Sequence, residues 1–340
     1  IISGPCSAET YDQLFETCKQ LKSHGITLMR AGVWKPRTRP GTFEGNGEEA
    51  LKWISDIKKE LDVQFAVEVA NTNHIDLSLK YGIDILWIGA RTTVNPFSVQ
   101  EIADAVKGTD TPILVKNPIN PDLSLWMGAL ERINKAGITK LGAIHRGFSM
   151  TGSSKYRYVP LWKIAIDLKS NLPNLPVICD PSHICGNRDM IFETSQKALD
   201  LGYDGLIIES HIDPDNAWSD AAQQVTPKRL IEIMKDLTIR EKTSEGEDYL
   251  NKLNNLRSQI DVADQNLLST LGKRMEVAKE IGQLKSDNNV AILQNKRWNE
   301  ILGKMILDGE EHGLSEEFIL RVFKAIHQES INNQKKILNK

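Results

Sequence analysis

The sequence has no long apolar run: no stretch approaches the ~20 residues that a membrane span needs, and no signal-peptide core follows the N-terminus. It has only four cysteines, Cys6, Cys18, Cys179 and Cys185, which are too few and too scattered for a disulfide framework in a chain of 340 residues. The formal net charge is −3, so no excess of one sign indicates nucleic acid or an anionic membrane as a partner. We therefore expect a soluble, cytoplasmic protein with neither partner.

The first part of the chain also lacks the glycine-rich first turn of a dinucleotide-binding sheet. Short apolar runs instead alternate with amphipathic stretches, which is typical of strand–helix units around a parallel sheet. The eight apolar runs occur in GPCSAE, LMRAGVWKPRT, QFAVEVA, LWIGART, ILVKNP, LGAIHRG, VICDPSH and LIIESH. Eight such units predict an α/β fold, a (β/α)8 TIM barrel, over residues 1–237.

The second part of the chain has a different character. Residues 238–248 are polar and charge-dense, and we interpret them as a linker. Proline is absent after Pro227, and apolar residues recur at helical spacing from Leu250 to Leu284. Residues 249–340 are therefore expected to form a small all-helical domain.

The first helix of this domain is expected to run from about Glu247 to Lys285, close to 60 Å, which is far longer than so small a domain covers by itself. We expect a homodimer, in which a second copy covers the helix. Two shorter helices are expected over residues 290–309 and 315–338, and Ser315 suits the N-cap of the second.

Four residues at or just beyond predicted strand ends have side chains that bind metals: Cys6, His183, Glu209 and Asp220. The carboxyl ends of barrel strands meet at one face, so these side chains are expected to converge there. A mixed thiolate, imidazole and carboxylate set suits Mn²⁺, Fe²⁺, Co²⁺ or Zn²⁺. Singly, each has a simpler interpretation, since a lone buried cysteine behaves as a small hydrophobe. Their shared position favours a divalent metal site.

The same face of the predicted barrel has an excess of cations. One cation at a barrel rim can be a solvated surface charge, but six together are costly unless anions such as phosphate or carboxylate neutralise them. The six are Arg30, Lys35, Arg37, Arg91, Lys116 and Arg146. These residues by themselves indicate metal-assisted chemistry on phosphorylated, anionic small molecules.

The motifs GPCSAE, KPRT, GART, VKNP, HRG and DPSH, with Glu209 and Asp220, resemble the 3-deoxy-D-arabino-heptulosonate 7-phosphate (DAHP) synthases of type I-beta over essentially all of residues 1–237. The resemblance implies condensation of phosphoenolpyruvate with erythrose 4-phosphate, the first step of the shikimate pathway, with release of phosphate. It also implies a divalent cofactor, expected to be Mn²⁺ with Fe²⁺, Co²⁺ or Zn²⁺ as alternatives. The implied metal ligands are Cys6, His183, Glu209 and Asp220.

The resemblance implies roles for the cations as well. Arg91, Lys116 and Arg146, with Arg30 and Lys35, would bind phosphoenolpyruvate. Arg37 and Thr38 of the KPRT motif would hold the phosphate of erythrose 4-phosphate, and Pro36, Ala90 and Asp180 would complete the substrate site. Either Lys35 or Lys116 would transfer a proton, and the sequence leaves open which of them does.

A related family on the same fold, octulosonate 8-phosphate synthase, uses arabinose 5-phosphate and is the alternative for the barrel. That family resembles this chain in the phosphoenolpyruvate site, but it has Lys-Ala-Asn-Arg where this chain has Lys35-Pro36-Arg37-Thr38. The four-carbon sugar phosphate is therefore favoured as the second substrate.

Three cations interrupt or border the apolar face of the long helix: Arg257, Arg274 and Lys285. Any one of them alone can be a solvated charge whose stem covers apolar surface. Arg274 and Lys285 are eleven positions apart, on one face and roughly 16 Å from each other, so both could reach a shared anion. Arg257 lies about 25 Å from Arg274 along the helix, so it would have to come from a second chain.

The segments LNNLRSQID, LGKRMEVAKEIGQLK, NKRWNEIL and HQESINNQKKIL resemble the small all-helical chorismate mutases over roughly residues 250–338. The resemblance implies rearrangement of chorismate to prephenate without a cofactor, with Lys285 and Gln334 stabilising the ether oxygen. The implied site residues are Arg257 of the partner subunit, Arg274, Lys285, Arg297, Ser330 and Gln334.

Two positions depart from the mutase pattern. Trp298 follows Arg297 where an acidic residue is usual, and Gln294 stands where aspartate is common. Our leading hypothesis is a bifunctional enzyme whose barrel is feedback-inhibited by prephenate or chorismate bound at the helical domain. Two alternatives stay open: a dimerising sensor that binds the ligand without turning it over, and a dimerisation arm without a ligand site.

Overall fold

The computed structural model describes residues 1–35, 41–241, 246–292 and 295–338, without the side chains of residues 295–297 and 338. The chain divides into two compact units, Ile1–Lys242 and Thr243–Lys340. No helix in the described parts of the chain is both long enough and apolar enough to cross a membrane.

The first unit is built around a closed barrel of parallel strands in the order of the sequence. The strands are β1 (Ile2–Gly4), β2 (Leu28–Arg30), β3 (Gln64–Val69), β4 (Ile85–Ile88), β5 (Ile113–Lys116), β6 (Leu141–His145), β7 (Val177–Cys179) and β8 (Gly205–Glu209). β1 pairs with both β2 and β8, which closes the barrel. The predicted (β/α)8 fold is confirmed.

Helices surround the barrel, and all but the last of them lie between successive strands in the sequence. They are α1 (Tyr11–Ser23), α2 (Glu48–Leu61), α3 (Thr72–Lys80), α4 (Ala90–Thr93), α5 (Pro96–Val106), α6 (Leu123–Lys135), α7 (Trp162–Asn171), α8 (Pro181–Cys185), α9 (Ile191–Asp200) and α10 (Pro227–Asp236). Short polar side chains begin several of them, since Thr10, Asn71 and Asp122 each accept a hydrogen bond from a backbone N–H of the first turn. Two short 3-10 turns, Pro214–Asn216 and Ala221–Gln223, follow β8.

The strands bury side chains on both faces, as expected for parallel strands covered by helices. On β4, Leu86 and Ile88 pack in the layer between strands and helices, whereas Trp87 between them belongs to the interior of the barrel. The interior is small and apolar, and its buried members are Ile2, Ala66, Trp87, Leu114, Ile144 and Ile207. The barrel is therefore a packed core, with room for a site only at its ends.

The second unit is helical: α11 (Glu247–Asp287), α12 (Asn295–Glu311) and α13 (Glu316–Leu338). Ser315 caps α13 as predicted, because its hydroxyl accepts a hydrogen bond from the N–H of Phe318 at 3.3 Å. The predicted start of the middle helix at residue 290 is wrong. α11 continues to Asp287, and a turn with Asn289 at a φ of 54° follows, so residues 288–292 are not helical.

Most apolar side chains of α11 are exposed in this unit, and its buried residues are Ala278 and Gly282. Leu256, Ile260 and Leu267 are each more than half exposed. Such a long series of exposed apolar residues is unusual for a helix that has no further partner.

The buried imidazole of His145 makes the stability of the barrel depend on pH. Its Nε2 lies 2.6 Å from the carbonyl oxygen of Pro160 and donates to it, and its Nδ1 accepts from the hydroxyl of Tyr203 at 2.8 Å. Both nitrogens of the neutral ring are therefore used. Burial, assisted by the charge of Arg146, lowers the pKa of His145 to about 4.

We expect this histidine to destabilise the barrel in acid. The unfolded chain has a histidine pKa of about 6.5, so it binds the proton more tightly than the folded chain does, and stability falls as the pH drops from about 6.5 to about 4. The shift corresponds to about 3 kcal/mol in full. Urea unfolding of wild type and His145→Gln at neutral and acid pH measures the loss of stability on acidification. The variant should lose less stability than wild type between the two pH values. Equal losses in both proteins would contradict the assignment.

Candidate active site

A cavity of about 220 Å³ opens at the carboxyl ends of the strands. It brings together many of the residues that the sequence singled out. Those that line it are Arg30, Lys35, Ala90, Arg91, Lys116, Arg146, His183 and Asp220. Cys6, Asp180 and Glu209 are buried and contact residues of this lining. Pro36, Arg37 and Thr38 lie outside the described residues.

Arg30, at the end of β2, pairs with Glu209 at the end of β8 inside the barrel. Its Nη1 lies 3.0 Å from Glu209 Oε1, and both side chains are almost fully buried. Glu209 also accepts a hydrogen bond from Gln223 at 2.6 Å, and His183 Nε2 lies 3.9 Å from its Oε1. Burial raises the pKa of Glu209, but the charges of Arg30 and His183 outweigh it and the pKa is lowered. Glu209 is therefore ionised.

Lys35 and Cys6 form a second contact. The Lys35 ammonium donates to the carbonyl oxygen of Cys6 at 2.7 Å and to its Sγ at 2.9 Å. The thiol in turn lies 3.3 Å from Asp220 Oδ2, and Arg157 donates to the other carboxylate oxygen at 2.9 Å. Burial and the charge of Glu209 raise the pKa of Cys6 to about 12. The side chain is a thiol at neutral pH.

Asp220 has an unusual backbone, with φ 47° and ψ 40° in the left-handed region that few residues other than glycine adopt. Burial raises the pKa of its carboxyl group, but the charge and hydrogen bond of Arg157 outweigh this and lower it. Strained backbone of this kind is concentrated at functional sites.

Lys116, at the end of β5, pairs with Asp180 at 3.1 Å. Asp180 caps α8, since it accepts a hydrogen bond from the backbone N–H of His183 at 3.1 Å, and its carboxylate also contacts His183 Nδ1 at 2.9 Å. Burial raises the pKa of Asp180, but His183 and Lys116 lower it well below its ordinary range. One buried carboxylate thus orients both a cation and an imidazole.

Arg146 and Arg91 complete the cationic lining. Arg146 follows β6 and is buried, and its guanidinium carbon lies 3.4 Å from the centre of the Tyr158 ring. Its Nη1 is buried without a hydrogen bond, and burial lowers its pKa. Arg91 lies on α4 directly after β4 and is exposed. Buried guanidinium groups with unused donors are suited to bind an anion.

The sequence reasoning missed several residues of the cavity, including Glu68, Trp87 and Arg157. The Trp87 indole N–H donates to Glu68 Oε2 at 2.9 Å. A signal for Glu68 existed, because it is a charged residue within the apolar run QFAVEVA. Trp87 has no such signal, because a tryptophan in a buried strand is ordinarily a core residue.

The four predicted metal ligands lie at one end of the barrel, in the contacting pairs Cys6–Asp220 and His183–Glu209. Within the described ranges, no group of three or more His, Cys, Asp and Glu side chains is arranged to hold a metal ion. The donor types fit a divalent transition metal. Glu209 Oε1 has no hydrogen bond to the described residues, but it is ion-paired with Arg30 Nη1 at 3.0 Å. The four-residue metal site stays a prediction.

In the helical unit, α11 and α13 bring together four of the predicted mutase residues. Arg274 donates to the hydroxyl of Ser330 at 2.6 Å, and Lys285 donates to the carbonyl oxygen of Ile292 at 2.5 Å. Gln334 is buried with its Oε1 unbonded and packs on α11 where Gly282 lies, at a point where a Cβ would be 3.1 Å from the Gln334 Cα. Close helix packing therefore places Gln334 beside α11.

The sequence reasoning also missed His327 on α13. Its ring stacks on that of Trp298 with centroids 4.0 Å apart, and its Nε2 is buried without a hydrogen bond. Burial and the charges of Arg274 and Lys285 lower the pKa of His327. Arg257 is exposed on α11, whereas Gln294 and the side chain of Arg297 lie outside the described residues.

The buried pair Arg30 and Glu209 offers a stability test. Arg30→Met leaves the Glu209 carboxylate buried without its main counter-charge, so we expect a loss of about 3 kcal/mol or more in the free energy of unfolding. Adding Glu209→Gln should recover part of that loss, because a neutral amide needs no counter-charge. Urea denaturation of wild type, Arg30→Met and the double variant measures their free energies of unfolding.

The exposed pair Lys163 and Asp167 is the matched control, and Lys163→Met should change stability little. If the double variant is no more stable than Arg30→Met, the uncompensated charge is not the cause of the loss.

Comparison with known families assigns both units. Residues 1–244 match the model of the DAHP synthetase I family, and residues 256–335 match the model of chorismate mutase type II.

Individual relatives match about 70% of this chain, and they include both deoxyheptonate and deoxyphosphooctonate aldolases. A phospho-2-dehydro-3-deoxyheptonate aldolase of Thermotoga maritima is 30% identical over 240 residues, which are 70% of this chain and 69% of the relative. A 2-dehydro-3-deoxyphosphooctonate aldolase of Brucella ovis is 26% identical over 257 residues, which are 70% of this chain and 88% of the relative. The crystal structure of the Thermotoga maritima DAHP synthase superposes with a TM-score of 0.62 at 28% identity, covering 69% of this chain and 67% of that chain.

Proposed function

The chain belongs to the DAHP synthetase I family and continues into a chorismate mutase domain, and from this we propose that its barrel condenses phosphoenolpyruvate with erythrose 4-phosphate. The products are DAHP and inorganic phosphate. The observation that carries this proposal is the set of six cations that line one cavity: Arg30, Lys35, Arg91, Lys116, Arg146 and Arg157. Phosphoenolpyruvate has a phosphate and a carboxylate, so it supplies the negative charge that such a cluster needs.

The residues of the barrel support the following chemistry. The cations hold phosphoenolpyruvate by its two anionic groups, which fixes its enol carbon for attack on the aldehyde of the sugar phosphate. The new carbon–carbon bond forms as the aldehyde oxygen becomes an alkoxide. That oxygen takes a proton from Lys35 or Lys116, the two amines of the cavity. The attacking atom is the methylene carbon, so bond formation leaves the neighbouring carbon, which carries the phosphate, short of electrons. Water adds to that carbon and releases its protons, and the bond from that carbon to the phosphate oxygen breaks, which gives the keto group of DAHP and inorganic phosphate.

A divalent metal belongs to this proposal, since the family is generally dependent on one. Cys6, His183, Glu209 and Asp220 would hold it, with Mn²⁺ expected and Fe²⁺, Co²⁺ or Zn²⁺ as alternatives. When bound, it supplies Lewis acidity toward the aldehyde oxygen.

The barrel's substrate choice is tested by phosphate release from the full chain. We expect release with phosphoenolpyruvate and erythrose 4-phosphate, its loss on treatment with a chelator, and its return on addition of Mn²⁺. Arabinose 5-phosphate should give no release, because of the residues Lys35-Pro36-Arg37-Thr38. Release with the five-carbon sugar phosphate alone would move the barrel to the octulosonate 8-phosphate synthase activity, and undiminished release without metal would remove the cofactor from the proposal.

For the helical domain we propose rearrangement of chorismate to prephenate. Two cations, Arg274 and Lys285, lie near Gln334 Oε1 and His327 Nε2, which are buried and make no hydrogen bond to the described residues. A dicarboxylate ligand would pair with the cations, and Lys285 with Gln334 would stabilise the ether oxygen as negative charge develops on it. Trp298 motivates the alternative that the domain binds this ligand as a sensor without turnover.

We further propose that the chain forms a homodimer through α11. The exposed apolar side chains of that helix support this, because a second copy would cover them. Arg257 of the partner subunit would then reach the mutase site, since it lies too far from Arg274 along one helix to share a small ligand.

Feedback inhibition follows from joining an early and a late step of one pathway in one chain. We propose that prephenate or chorismate bound at the helical domain inhibits the barrel, which makes the two sites thermodynamically coupled.

Arg274→Ala tests the mutase, sensor and arm hypotheses together. We expect chorismate rearrangement to fall by about 30-fold or more, which corresponds to about 2 kcal/mol for one charged contact, and prephenate inhibition of the barrel to weaken in parallel. Chorismate absorbance and phosphate release measure the two effects. Lys279→Ala on an exposed surface of α11 is the control and should change neither.

Three results would change the assignment. Wild type that binds chorismate without consuming it would make the domain a sensor. If neither wild type nor Arg274→Ala binds or consumes chorismate, only a dimerisation arm is left. Unchanged prephenate inhibition in that variant would place the inhibitory site elsewhere.

A further inference from the structure

One indole ring contacts two of the cations in the barrel cavity. Trp87 is 1% exposed, lines the cavity and belongs to the interior of the barrel. The guanidinium carbon of Arg30 and the Nζ of Lys116 each lie 5.3 Å from the centre of the Trp87 ring. Arg30 ends β2 and Lys116 ends β5, so this single ring is a common contact of cations from two separate strands.

The orientation of the indole is fixed by the neighbouring strand. Glu68 on β3 is the register partner of Trp87 on β4, and its Oε2 accepts the indole N–H at 2.9 Å. Gly89 leaves room for this carboxylate, because a Cβ at residue 89 would lie 2.2 Å from Glu68 Oε1. The strand pairing and the hydrogen bond together hold the ring in one place beneath the cavity.

Apart from the indole, an acid holds each of the two cations, and the carbonyl oxygen of Cys6 also accepts a hydrogen bond from Arg30 at 3.5 Å. Arg30 pairs with Glu209 and Lys116 with Asp180. Among the described residues, Arg30 Nε has no hydrogen bond, and Nη1 is ion-paired with Glu209 Oε1 at 3.0 Å but makes no hydrogen bond, so hydrogen bonds do not fully determine where the guanidinium lies. The face of an indole attracts cations through its quadrupole. The ring itself adds no full negative charge beside the cations, although the Glu68 carboxylate that accepts its N–H also lines the cavity.

We propose that Trp87 is a positioning residue of the synthase reaction. Its ring holds Arg30 and Lys116 at the spacing at which they bind the two anionic groups of phosphoenolpyruvate. The inference rests on the proposed function, since it takes phosphoenolpyruvate as the ligand. It assigns a role to a residue that the sequence presents as an ordinary apolar member of a buried strand.

Trp87→Met is the first test. Methionine fills much of the space and stays apolar, but it has no aromatic face. We expect phosphoenolpyruvate to bind about tenfold more weakly, because two cation–π contacts are lost. KM for phosphoenolpyruvate should rise by a similar factor, and kcat should fall less. Binding of inorganic phosphate alone should weaken by no more than about threefold, because a ligand with one anionic group does not depend on the spacing of two cations.

Trp87→Phe is the conservative variant and keeps an aromatic face without the N–H. We expect it to bind phosphoenolpyruvate within about threefold of wild type. Trp126 provides the matched control, since it is a fully buried tryptophan outside the cavity whose N–H donates to the carbonyl oxygen of Val115 at 3.1 Å. Trp126→Met should lower stability but leave the affinity for phosphoenolpyruvate unchanged.

Isothermal titration of the full chain with phosphoenolpyruvate, and separately with inorganic phosphate, decides the matter. Wild type that binds no phosphoenolpyruvate would refute the proposed function and this inference with it. Wild-type binding that is unchanged in Trp87→Met would refute the inference alone. Equal losses for phosphate and phosphoenolpyruvate would also refute it, because the spacing would then not be the cause.

If Trp87→Met does not fold, as judged by circular dichroism, Trp87→Phe decides. Affinity within about threefold of wild type supports the aromatic face as the determinant. A loss of tenfold or more in this variant would mean that the hydrogen bond to Glu68, and not the ring face, is what matters.

Discussion

Closure of the barrel between β1 and β8 is the constraint on which the synthase site depends. The register places Gly4 opposite Glu209, so residues from the two ends of this unit become neighbours. Cys6 follows β1 directly, and it then lies within reach of Lys35 and of Asp220, which is 214 residues away in the chain. A barrel that did not close would separate these groups, because each comes from a different strand–helix unit. The geometry of the site is therefore a consequence of the global fold.

Closure of the barrel also brings several cations close together, and two kinds of contact stabilise them. Buried acids compensate individual cations, as Glu209 does for Arg30 and Asp180 for Lys116. The Trp87 ring contacts both cations without adding a negative charge. The mixture matters for an anion site, since full neutralisation by carboxylates would remove the attraction for the ligand. Arg146 can still donate to an anionic ligand, because its Nη1 is buried and makes no hydrogen bond to the described residues.

The helical unit also brings cations together, but it does so by close packing of two helices. α11 and α13 pack closely where Gly282 faces Gln334, which places Arg274 beside Ser330 and His327 near both cations. The same long helix leaves apolar side chains such as Leu256 and Ile260 exposed. One element thus carries the cations of the predicted mutase site on one part of its surface and exposed apolar side chains on another. These two features are the basis of our proposal that a second copy completes the site.

The two-part architecture and the residue types at the strand ends were predictable from the sequence, because period, apolar runs and motifs are local features. The count of eight strands was correct, and most of the cations and acids that meet at the cavity were identified, among them Arg30, Lys116 and Glu209. The pairing of each acid with its cation was not predictable, since those contacts join residues far apart in the chain and depend on the fold. The tertiary structure alone gave Trp87 and His327 a place beside charged groups, because an aromatic residue in a strand or helix looks the same in sequence whether it packs in a core or against a cation. The start of α12 was also predicted wrongly. Whether residues 288–292 continue a helix or form a turn depends on how far α11 extends, which the local sequence did not indicate.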